Sequence, residues 1–274
     1  MQLVFLPLKR VQEKRLLLNK MIKNQLREFL EEKQTFYQQK SFIHSDPIQI
    51  PKSFSKKEDI EIAGFIAAIL AWGKRPMIIK KAKQWMNAMD NQPYDFLMNA
   101  PEKDFDRFLK IIYRTVSGDD SLFMMYSLRN IYQNHGGLEA AFSAQPLDMR
   151  KSIIHFRQVF MEVPHLSRSE KHIANPEKGS AAKRINMFLR WMVRSAEGGV
   201  DFGIWKNIEP SVLMIPLDTH SGRMARQLGL LARKQNDWKA VEELTQNLRQ
   251  LDPKDPIKYD FALFGMGVNE GVKL

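Results

Sequence analysis

Apolar residues recur at helical spacing along most of this 274-residue chain, and no stretch of useful length alternates between apolar and polar side chains. Residues 9–33 carry a broad apolar stripe between charged positions, which predicts an amphipathic helix. Residues 60–72 are apolar on nearly every face, so we expect them to form a central helix of the core. The pattern as a whole predicts an all-α fold of about ten to twelve helices.

Turn and capping residues divide the rest of the chain into shorter helices. Ser55-Lys56-Lys57-Glu58 has the form of a capping box in front of the central helix, and Gly73 and Pro76 end that helix. Residues 41–51 contain two prolines and no periodicity, which indicates a connector. Further helices are predicted at residues 76–89, in two pieces over 93–109, from the turn at 113–120 to about 136, and at 138–142, 147–163, 180–194, 219–228 and 238–251.

Two of these helices begin with residues that can carry chemistry. An apolar run, residues 212–217, leads to Asp218, which occupies an N-cap position before a helix that stops at Gly229. One interpretation is that Asp218 only caps this helix. The helix predicted at residues 180–194 follows a turn that ends at Gly179, and small residues there leave backbone N–H groups open to a phosphate oxygen.

The charge of the chain is +11 at pH 7, from 42 basic and 31 acidic residues, and it is unevenly distributed. Residues 1–100 have a net charge of +7 and residues 150–200 of +6. Residues 101–149 have a net charge of −2, and residues 201–274 are neutral. A balance of this kind suits a polyanionic partner such as DNA.

The absence of cysteine excludes disulfides, thiol catalysis, iron–sulfur clusters and thiolate zinc sites. The six histidines include no pair at helical ligand spacing, so we expect no metal and no other cofactor. Residues 1–8 are apolar but too short for a signal peptide, and no apolar run approaches the length of a membrane span. We therefore expect a soluble, cytoplasmic, nucleoid-associated monomer that does not bind a membrane.

A basic segment follows the central helix. Lys74 and Arg75 lie in the predicted loop, three further lysines lie in the next helix, and no acidic residue occurs from residue 62 to 89. This segment is either a solvated basic face or a surface that meets phosphates. Trp72, beside the loop, is either a buried core residue or a wedge that inserts between stacked bases.

Two motifs of this chain together resemble those of the helix-hairpin-helix DNA glycosylases. Leu217-Asp218-Thr219-His220-Ser221-Gly222-Arg223-Met224 is similar to the stretch that supplies the essential aspartate in that superfamily. Gly179-Ser180-Ala181-Ala182-Lys183 is similar to its hairpin, where a glycine turn holds the DNA backbone and a lysine opens onto the base pocket. The hairpin departs from the pattern in its second glycine, which is Ala181 here, and in Glu177-Lys178, which replaces Leu-Pro. In detail the chain is most similar to a bacterial family of the superfamily that has no assigned substrate.

The resemblance covers roughly residues 55–270, and it implies a role for individual residues. It implies that Asp218 is catalytic and that Lys183 is the nucleophile of a lyase step, with Lys178 at the turn as the alternative. It also implies that Gly179, Ser180, Ala181, Arg184 and Arg223 bind DNA. The basic segment after the central helix adds Lys74 and Arg75 to the expected DNA-binding residues, and Trp72 as a residue that contacts the substrate.

The fold implied by the resemblance is a single glycosylase-like domain, residues 1–274, made of two helical lobes. Residues 55–195 would form a six-helix barrel that includes the hairpin, and residues 1–54 and 196–274 the second lobe. Lys183 and Asp218 would then lie on opposite walls of a cleft between the lobes.

Three hypotheses about function follow. The first is a base-excision repair glycosylase that flips a damaged or mismatched base out of double-stranded DNA and cleaves its N-glycosidic bond, with AP lyase activity if a lysine forms a Schiff base. The second is a DNA-binding protein of the same fold without the chemistry. The third is an all-α interaction protein whose charge is incidental.

Overall fold

The computed structural model describes residues 6–269 of the chain, with the side chains of residue 21 and of residues 23–269. These residues form twelve α-helices joined by turns and short 3-10 segments, and the described range contains no β-strand. The predicted all-α fold and the predicted number of helices are confirmed. None of the described helices is both long enough and apolar enough to cross a membrane.

The helices are numbered in chain order. They are α1 (Leu6–Tyr37), α2 (Lys57–Ile69), α3 (Arg75–Ala88), α4 (Pro93–Asn99), α5 (Glu102–Phe105), α6 (Gly118–Asn134), α7 (Leu138–Phe142), α8 (Met149–Phe160), α9 (Lys183–Val193), α10 (Thr219–Gln227), α11 (Trp238–Leu251) and α12 (Asp260–Asn269). The connector predicted at residues 41–51 consists of three successive 3-10 segments, Lys40–Ser45, Pro47–Gln49 and Pro51–Ser53.

Helix α2 is the central helix that the sequence predicts. Residues 60–70 are all buried, because α3, α4 and α9 pack around this helix. Phe65 in its middle has edge or tilted ring contacts, with centroid distances of 5.5–5.6 Å, to Phe156 and Phe160 of α8 and to Phe188 of α9. The helix ends at Ile69, three residues earlier than predicted, so that Trp72 lies in the following loop.

The capping box predicted at residues 55–58 is wrong. The N-cap of α2 is Lys56, which makes no side-chain capping hydrogen bond. Glu58 and Asp59 lie in the first turn, where their charge interacts favourably with the positive end of the helix. Asp59 also accepts a hydrogen bond of 2.8 Å from the backbone N–H of Tyr94 at the start of α4. Glu58 and Asp59 therefore stabilise the first turn of α2, and Asp59 also connects α2 to the start of α4.

Helices α2, α3, α4 and α9 pack together on one side of the molecule, and on the other side α12 packs against α1 and α10. In α1, Leu30 is fully buried, whereas Met21 and Phe29 are exposed. Leu26, another residue of the apolar stripe predicted for this helix, is partly buried against the core. The remaining stripe residues, Val11, Leu16, Leu17, Leu18 and Ile22, have side chains outside the described residues.

Buried polar side chains connect the loop before α10, and also α6, to α2. Glu61 of α2 is 2% exposed. It accepts hydrogen bonds from the indole N–H of Trp205, at 2.6 Å, and from the hydroxyl of Tyr132, at 2.7 Å. Burial raises the pKa of Glu61, and these two hydrogen bonds partly oppose that effect.

The packing of α2 predicts a large cost for truncating Phe65. Phe65→Ala should lower the free energy of unfolding by about 3–5 kcal/mol, because a buried ring is replaced by a cavity. Lys83→Ala, on the exposed face of α3, should change it by less than about 0.5 kcal/mol. Urea unfolding followed by circular dichroism measures both values, and equal effects of the two substitutions would contradict the assignment of α2 as the central helix.

Candidate active site

A cavity of about 480 Å³ lies between the α2–α3 loop, the start of α9, and the starts of α10 and α12. Sites for small ligands usually have volumes of about 300–1,000 Å³, so this cavity has room for one. Its wall combines aromatic with charged side chains. The lining residues that carry polar or ionisable groups include Trp72, Arg75, Lys183, Arg190, Trp191 and Asp260.

Asp218 caps α10 as the sequence predicts, and it does so with one of its two carboxylate oxygens. Oδ1 accepts hydrogen bonds from the backbone N–H groups of His220, at 2.8 Å, and Ser221, at 2.9 Å, and from the Ser221 hydroxyl. The Asp218 side chain remains 20% exposed. Its neighbours Pro216 and His220 both line the cavity.

Lys183 is the first residue of α9 and lines the same cavity. The residue before it, Ala182, has the left-handed backbone conformation with φ of 48°, which turns the chain sharply into the helix. The helix then buries Ile185 and Phe188 in the core, and this leaves Lys183 at the edge of the helix with 30% of its side chain exposed.

Lys183 and Asp218, which are 35 residues apart in sequence, meet at the cavity. The Lys183 Nζ lies 3.9 Å from Oδ2 of Asp218, the oxygen that the helix cap leaves free. An ammonium and a carboxylate at this distance attract each other without a close hydrogen bond. The capping role of Asp218 is therefore compatible with a second role for its free oxygen.

A second, buried ion pair lies next to this one. Asp260, at the start of α12, is 5% exposed and accepts a hydrogen bond from Nη1 of Arg190 on α9. Burial raises the pKa of Asp260 to about 6, and the negative charge of Asp218 adds to this effect while Arg190 and Lys183 oppose it. The titration of Asp260 is thus coupled to the charges of the Lys183–Asp218 pair.

Arg75, one of the residues implied to bind DNA, is turned into the cavity. Its Nη2 lies 3.9 Å from Oδ2 of Asp46, and its guanidinium lies over the rings of Phe42, at 5.7 Å, and Phe264, at 5.5 Å. Asp46 is buried, which raises its pKa, although a hydrogen bond from the backbone N–H of Ile48 opposes the shift. Lys74, by contrast, is exposed at the N-cap of α3.

Trp72 lines the cavity and is partly buried. Its backbone carbonyl accepts a hydrogen bond of 2.7 Å from the hydroxyl of Tyr113, and the guanidinium of Arg114 lies 4.3 Å from its ring centre. Arg114 is exposed and has a φ of 56°. The loop that carries Arg114 therefore covers one face of the tryptophan ring.

The turn before α9 differs from the prediction in where its N–H groups point. The helix begins at Lys183 and not at residue 180. The N–H of Gly179 donates to the carbonyl of Pro176, at 3.0 Å, and that of Ser180 to the carbonyl of Asn175, at 3.1 Å. Gly179 itself has a φ of 85° and open space around its Cα, whereas Ala181 is partly buried. The N–H groups of Gly179 and Ser180 are thus engaged inside the turn.

Two arginines implied to bind DNA are engaged with the protein itself. The Arg184 guanidinium donates to the carbonyls of Ile69 and His172, and burial lowers its pKa. These hydrogen bonds connect the start of α9 to the end of α2. Arg223 donates to the carbonyl of Gly267 at 2.6 Å, which connects α10 to the end of α12. Lys178 is exposed at the turn and borders grooves outside the cavity.

Several residues of the cavity carry no signal that sequence reasoning detected. Asp46 lies in a connector, Asp260 lies in a segment for which the sequence analysis predicts no function, and Arg190 lies on the polar side of an amphipathic helix. The one available signal is the helical spacing that places Lys183, Asn186, Arg190 and Arg194 on one face of the predicted helix. The described residues contain no group of three or more His, Cys, Asp or Glu side chains arranged to hold a metal ion.

The fold and site define an all-helical protein with a lysine–aspartate pair at the edge of an aromatic cavity. The chain belongs to the family described as "Protein of unknown function (DUF2400)", whose sequence model matches residues 46–269. The match begins at Asp46 and ends with α12, so it includes every element that lines the cavity except the segment that carries Phe42. Comparisons with curated proteins and with solved structures found no match.

The raised pKa of Asp260 predicts how stability depends on pH. An unfolded aspartate titrates at about 3.9, so between about pH 4 and about pH 6 the folded protein binds more protons than the unfolded chain. The Asp260 contribution to the free energy of unfolding therefore falls as the pH rises through this window, by an amount on the order of 2 kcal/mol. Asp260→Asn keeps an acceptor for Arg190 and removes the titration.

We expect the free energy of unfolding of the wild type, minus that of Asp260→Asn, to decrease from about pH 4 to about pH 6 and to be constant above about pH 7. Urea unfolding at a series of pH values measures this difference, and subtraction removes the contribution of the other carboxyl groups. Parallel stability curves for the two proteins would show that Asp260 titrates normally.

Proposed function

We propose that the protein is a DNA glycosylase that flips a damaged or mismatched base out of duplex DNA and cleaves its N-glycosidic bond. The observation that carries this proposal is the position of Lys183 Nζ, 3.9 Å from the free Oδ2 of Asp218, at the edge of a cavity of about 480 Å³. The two residues come from the two motifs that resemble those of helix-hairpin-helix glycosylases, and both motifs lie within the matched family region.

The surface around the cavity suits a polyanion. Lys74 and Lys80 are exposed near the α2–α3 loop, and Lys178 is exposed at the turn before α9. Taking a nucleotide out of the base stack costs a few kcal/mol, and contacts between such cations and phosphates offset part of that cost. The partly buried Trp72 lines the cavity and is the aromatic side chain proposed to contact an extruded base.

Asp218 stabilises the transition state in this proposal. Cleavage of the bond between the sugar C1′ and the base nitrogen leaves the bonding electrons on the base and a positive charge on the sugar. The ionised carboxylate of Asp218 is held by its helix cap with one oxygen free, so no reorganisation is needed to place negative charge near C1′.

Lys183 carries out the lyase step. Its ammonium gives a proton to the departing base, and the neutral amine then adds its lone pair to C1′. Ring opening moves the C1′–O4′ electrons onto O4′, which takes the second proton of the amine, and a Schiff base results. Loss of a proton from C2′ then expels the 3′ phosphate by β-elimination.

Asp218→Asn tests the role of the carboxylate. On a duplex substrate that the wild type cuts, found with a panel of damaged and mismatched bases, the variant should release the base about 10²–10³ times more slowly. Its free energy of unfolding should change by less than about 1 kcal/mol, because asparagine also caps helices and the pair with Lys183 is partly exposed.

Asp148→Asn is the matched control, because Asp148 caps α8 in the same way, with Oδ1 accepting from the N–H of Lys151, and lies outside the cavity. It should excise at the wild-type rate. If Asp218→Asn is as fast as the wild type, Asp218 is only a helix cap. Salt-dependent duplex binding without release of any base would make the protein a DNA-binding protein that lacks the chemistry.

Reduction with borohydride during the reaction tests the role of Lys183. A Schiff base between a lysine and C1′ should be trapped as a covalent protein–DNA adduct that migrates slowly on a denaturing gel. The adduct should disappear in Lys183→Gln and persist in Lys178→Gln, because only Lys183 lines the cavity and lies near Asp218.

The opposite pattern, with trapping lost only in Lys178→Gln, would assign the nucleophile to the turn. Release of a base by the wild type without any adduct would assign the reaction to a glycosylase in which water attacks C1′ and Lys183 serves only as a cation.

A further inference from the structure

Most arginine side chains that the structure describes are held by hydrogen bonds to the protein itself. Within the described range, Arg75 and Arg114 donate no hydrogen bond, and Arg75 still faces the carboxylate of Asp46 at 3.9 Å. Arg114 forms no ion pair with any described residue, and its side chain is exposed. Its guanidinium is therefore available to a group from outside the chain.

Two backbone conformations bring Arg114 against the α2–α3 loop. Gly73 has a φ of 109°, and a Cβ at this position would lie 2.9 Å from Nη1 of Arg114 and 3.0 Å from the hydroxyl of Tyr113. Only glycine therefore allows the approach. Arg114 itself has a φ of 56°, at the tip of a turn that two hydrogen bonds of 2.9 Å between Tyr113 and Val116 close. Glycine or asparagine adopts this backbone conformation at a lower cost, so the fold alone does not explain an arginine here.

The segment that carries Arg114 is basic, although the block around it is not. Residues 107–117, between α5 and α6, contain three basic and no acidic side chains, and we call them the α5–α6 loop. The net charge of −2 over residues 101–149 hides this local excess. Lys74 is exposed on the facing loop, and Trp72, whose ring Arg114 covers, lines the cavity. The α5–α6 loop thus adds positive charge beside the cavity.

An exposed guanidinium with free donors is suited to an oxyanion. Arginine binds phosphate through two parallel N–H···O bonds, and its charge adds to their strength. The guanidinium of Arg114 lies 4.3 Å from the ring centre of Trp72, and this contact restricts the side chain. Less rotational freedom is then lost when a phosphate binds. DNA presents such phosphates along each strand, and a nucleotide that enters the cavity brings its own phosphates to the residues around it.

We propose that Arg114 binds a phosphate group of the DNA strand whose nucleotide enters the cavity, and that the α5–α6 loop is a DNA-contacting element. This inference rests on the proposed function for the identity of the phosphate-bearing partner as DNA. It adds a contact that lies outside both glycosylase-like motifs and outside the basic segment after α2. Arg114 would hold the strand in position and would not touch the reacting atoms.

The test measures binding of the full-length protein to an undamaged, fluorescently labelled duplex by anisotropy at a series of salt concentrations. Arg114→Asn removes the charge and the donors, and asparagine tolerates the left-handed backbone conformation. The variant should bind about tenfold more weakly at low salt. The slope of log affinity against log salt concentration should become shallower by about 0.9, the value for one lost phosphate contact.

Arg107→Gln is the matched control. Arg107 is an exposed arginine of the same loop and lies 5.6 Å from the ring centre of Phe96, but its Nη1 donates to Asp90 at 2.8 Å. This variant loses the same charge and should keep the wild-type slope. Arg114→Lys should keep the slope as well, because it keeps the charge, but it should weaken binding because lysine does not form the two parallel hydrogen bonds.

Thermal unfolding separates binding from a role in the fold. If Arg114 served only the fold, Arg114→Asn would lower the melting temperature and leave the salt slope unchanged. If Arg114→Asn does not fold, Arg114→Gly gives the same comparison, because glycine adopts a positive φ most readily. An unchanged slope and affinity in the folded variant would overturn the inference, and so would an equal change in Arg107→Gln.

A free nucleotide is the other source of a phosphate. Wild-type protein that binds thymidine 5′-monophosphate as tightly as the duplex, with both affinities lost in Arg114→Asn, would assign the site to a free nucleotide and overturn the DNA contact. Duplex binding through Arg114 by a protein that excises no base would retain the contact and refute the enzyme. Excision with an unchanged salt slope in Arg114→Asn would retain the enzyme and refute the contact. No duplex binding by the wild type would overturn both.

Discussion

Burial of two arginines, Arg190 in the last turn of α9 and Arg194 at its C-cap, constrains the C-terminal part of this protein. A guanidinium out of water is costly unless carboxylates surround it, so each of these arginines determines where acidic residues from later in the chain must lie. The members of this network are Arg190, Arg194, Asp201, Asp255 and Asp260. Breaking such a network is costly, although the net contribution of the network to stability is small. The main consequence of the network here is geometric, because it holds α12 and the loop after α9 against α9. The position of Lys183 relative to the opposite wall of the cavity follows from it.

The start of α10 shows how a helix cap can leave one oxygen of its carboxylate free. The first N–H groups of a helix need acceptors, and Asp218 supplies one oxygen to two of them. The same hydrogen bonds fix the rotamer of the side chain and hold the other oxygen toward Lys183. The hydrogen bonds that cap the helix are therefore the same ones that would preorganise the carboxylate for catalysis. Reaction rates, and not the geometry, distinguish a capping role of Asp218 from a catalytic one.

Helix positions were largely predictable, because amphipathic periodicity is a local property. Helices α7 and α11 begin and end where the pattern predicts, and residues 60–70 are buried as expected. The errors occur at helix boundaries, and α2 ends three residues earlier than predicted. The capping box at residues 55–58 does not form, and α9 begins three residues later than predicted because Ala182 adopts a left-handed turn. A side chain at a helix start can hydrogen-bond either to the nearby backbone or to residues distant in sequence. The sequence alone does not reveal which of these partners are within reach.

By itself the sequence determined the all-helical fold, the central helix α2 and the presence of Asp218 at a helix start. These follow from hydrophobic period and capping preference, which depend on neighbours a few residues away. Only the tertiary structure brought Lys183 within 3.9 Å of Asp218, turned Arg75 toward Asp46, and engaged Arg184 inside the fold. An exposed arginine and a buried one have the same local pattern. An arginine is buried only where residues far away in sequence offset the cost of removing its charge from water. Only the packed structure shows where such residues lie.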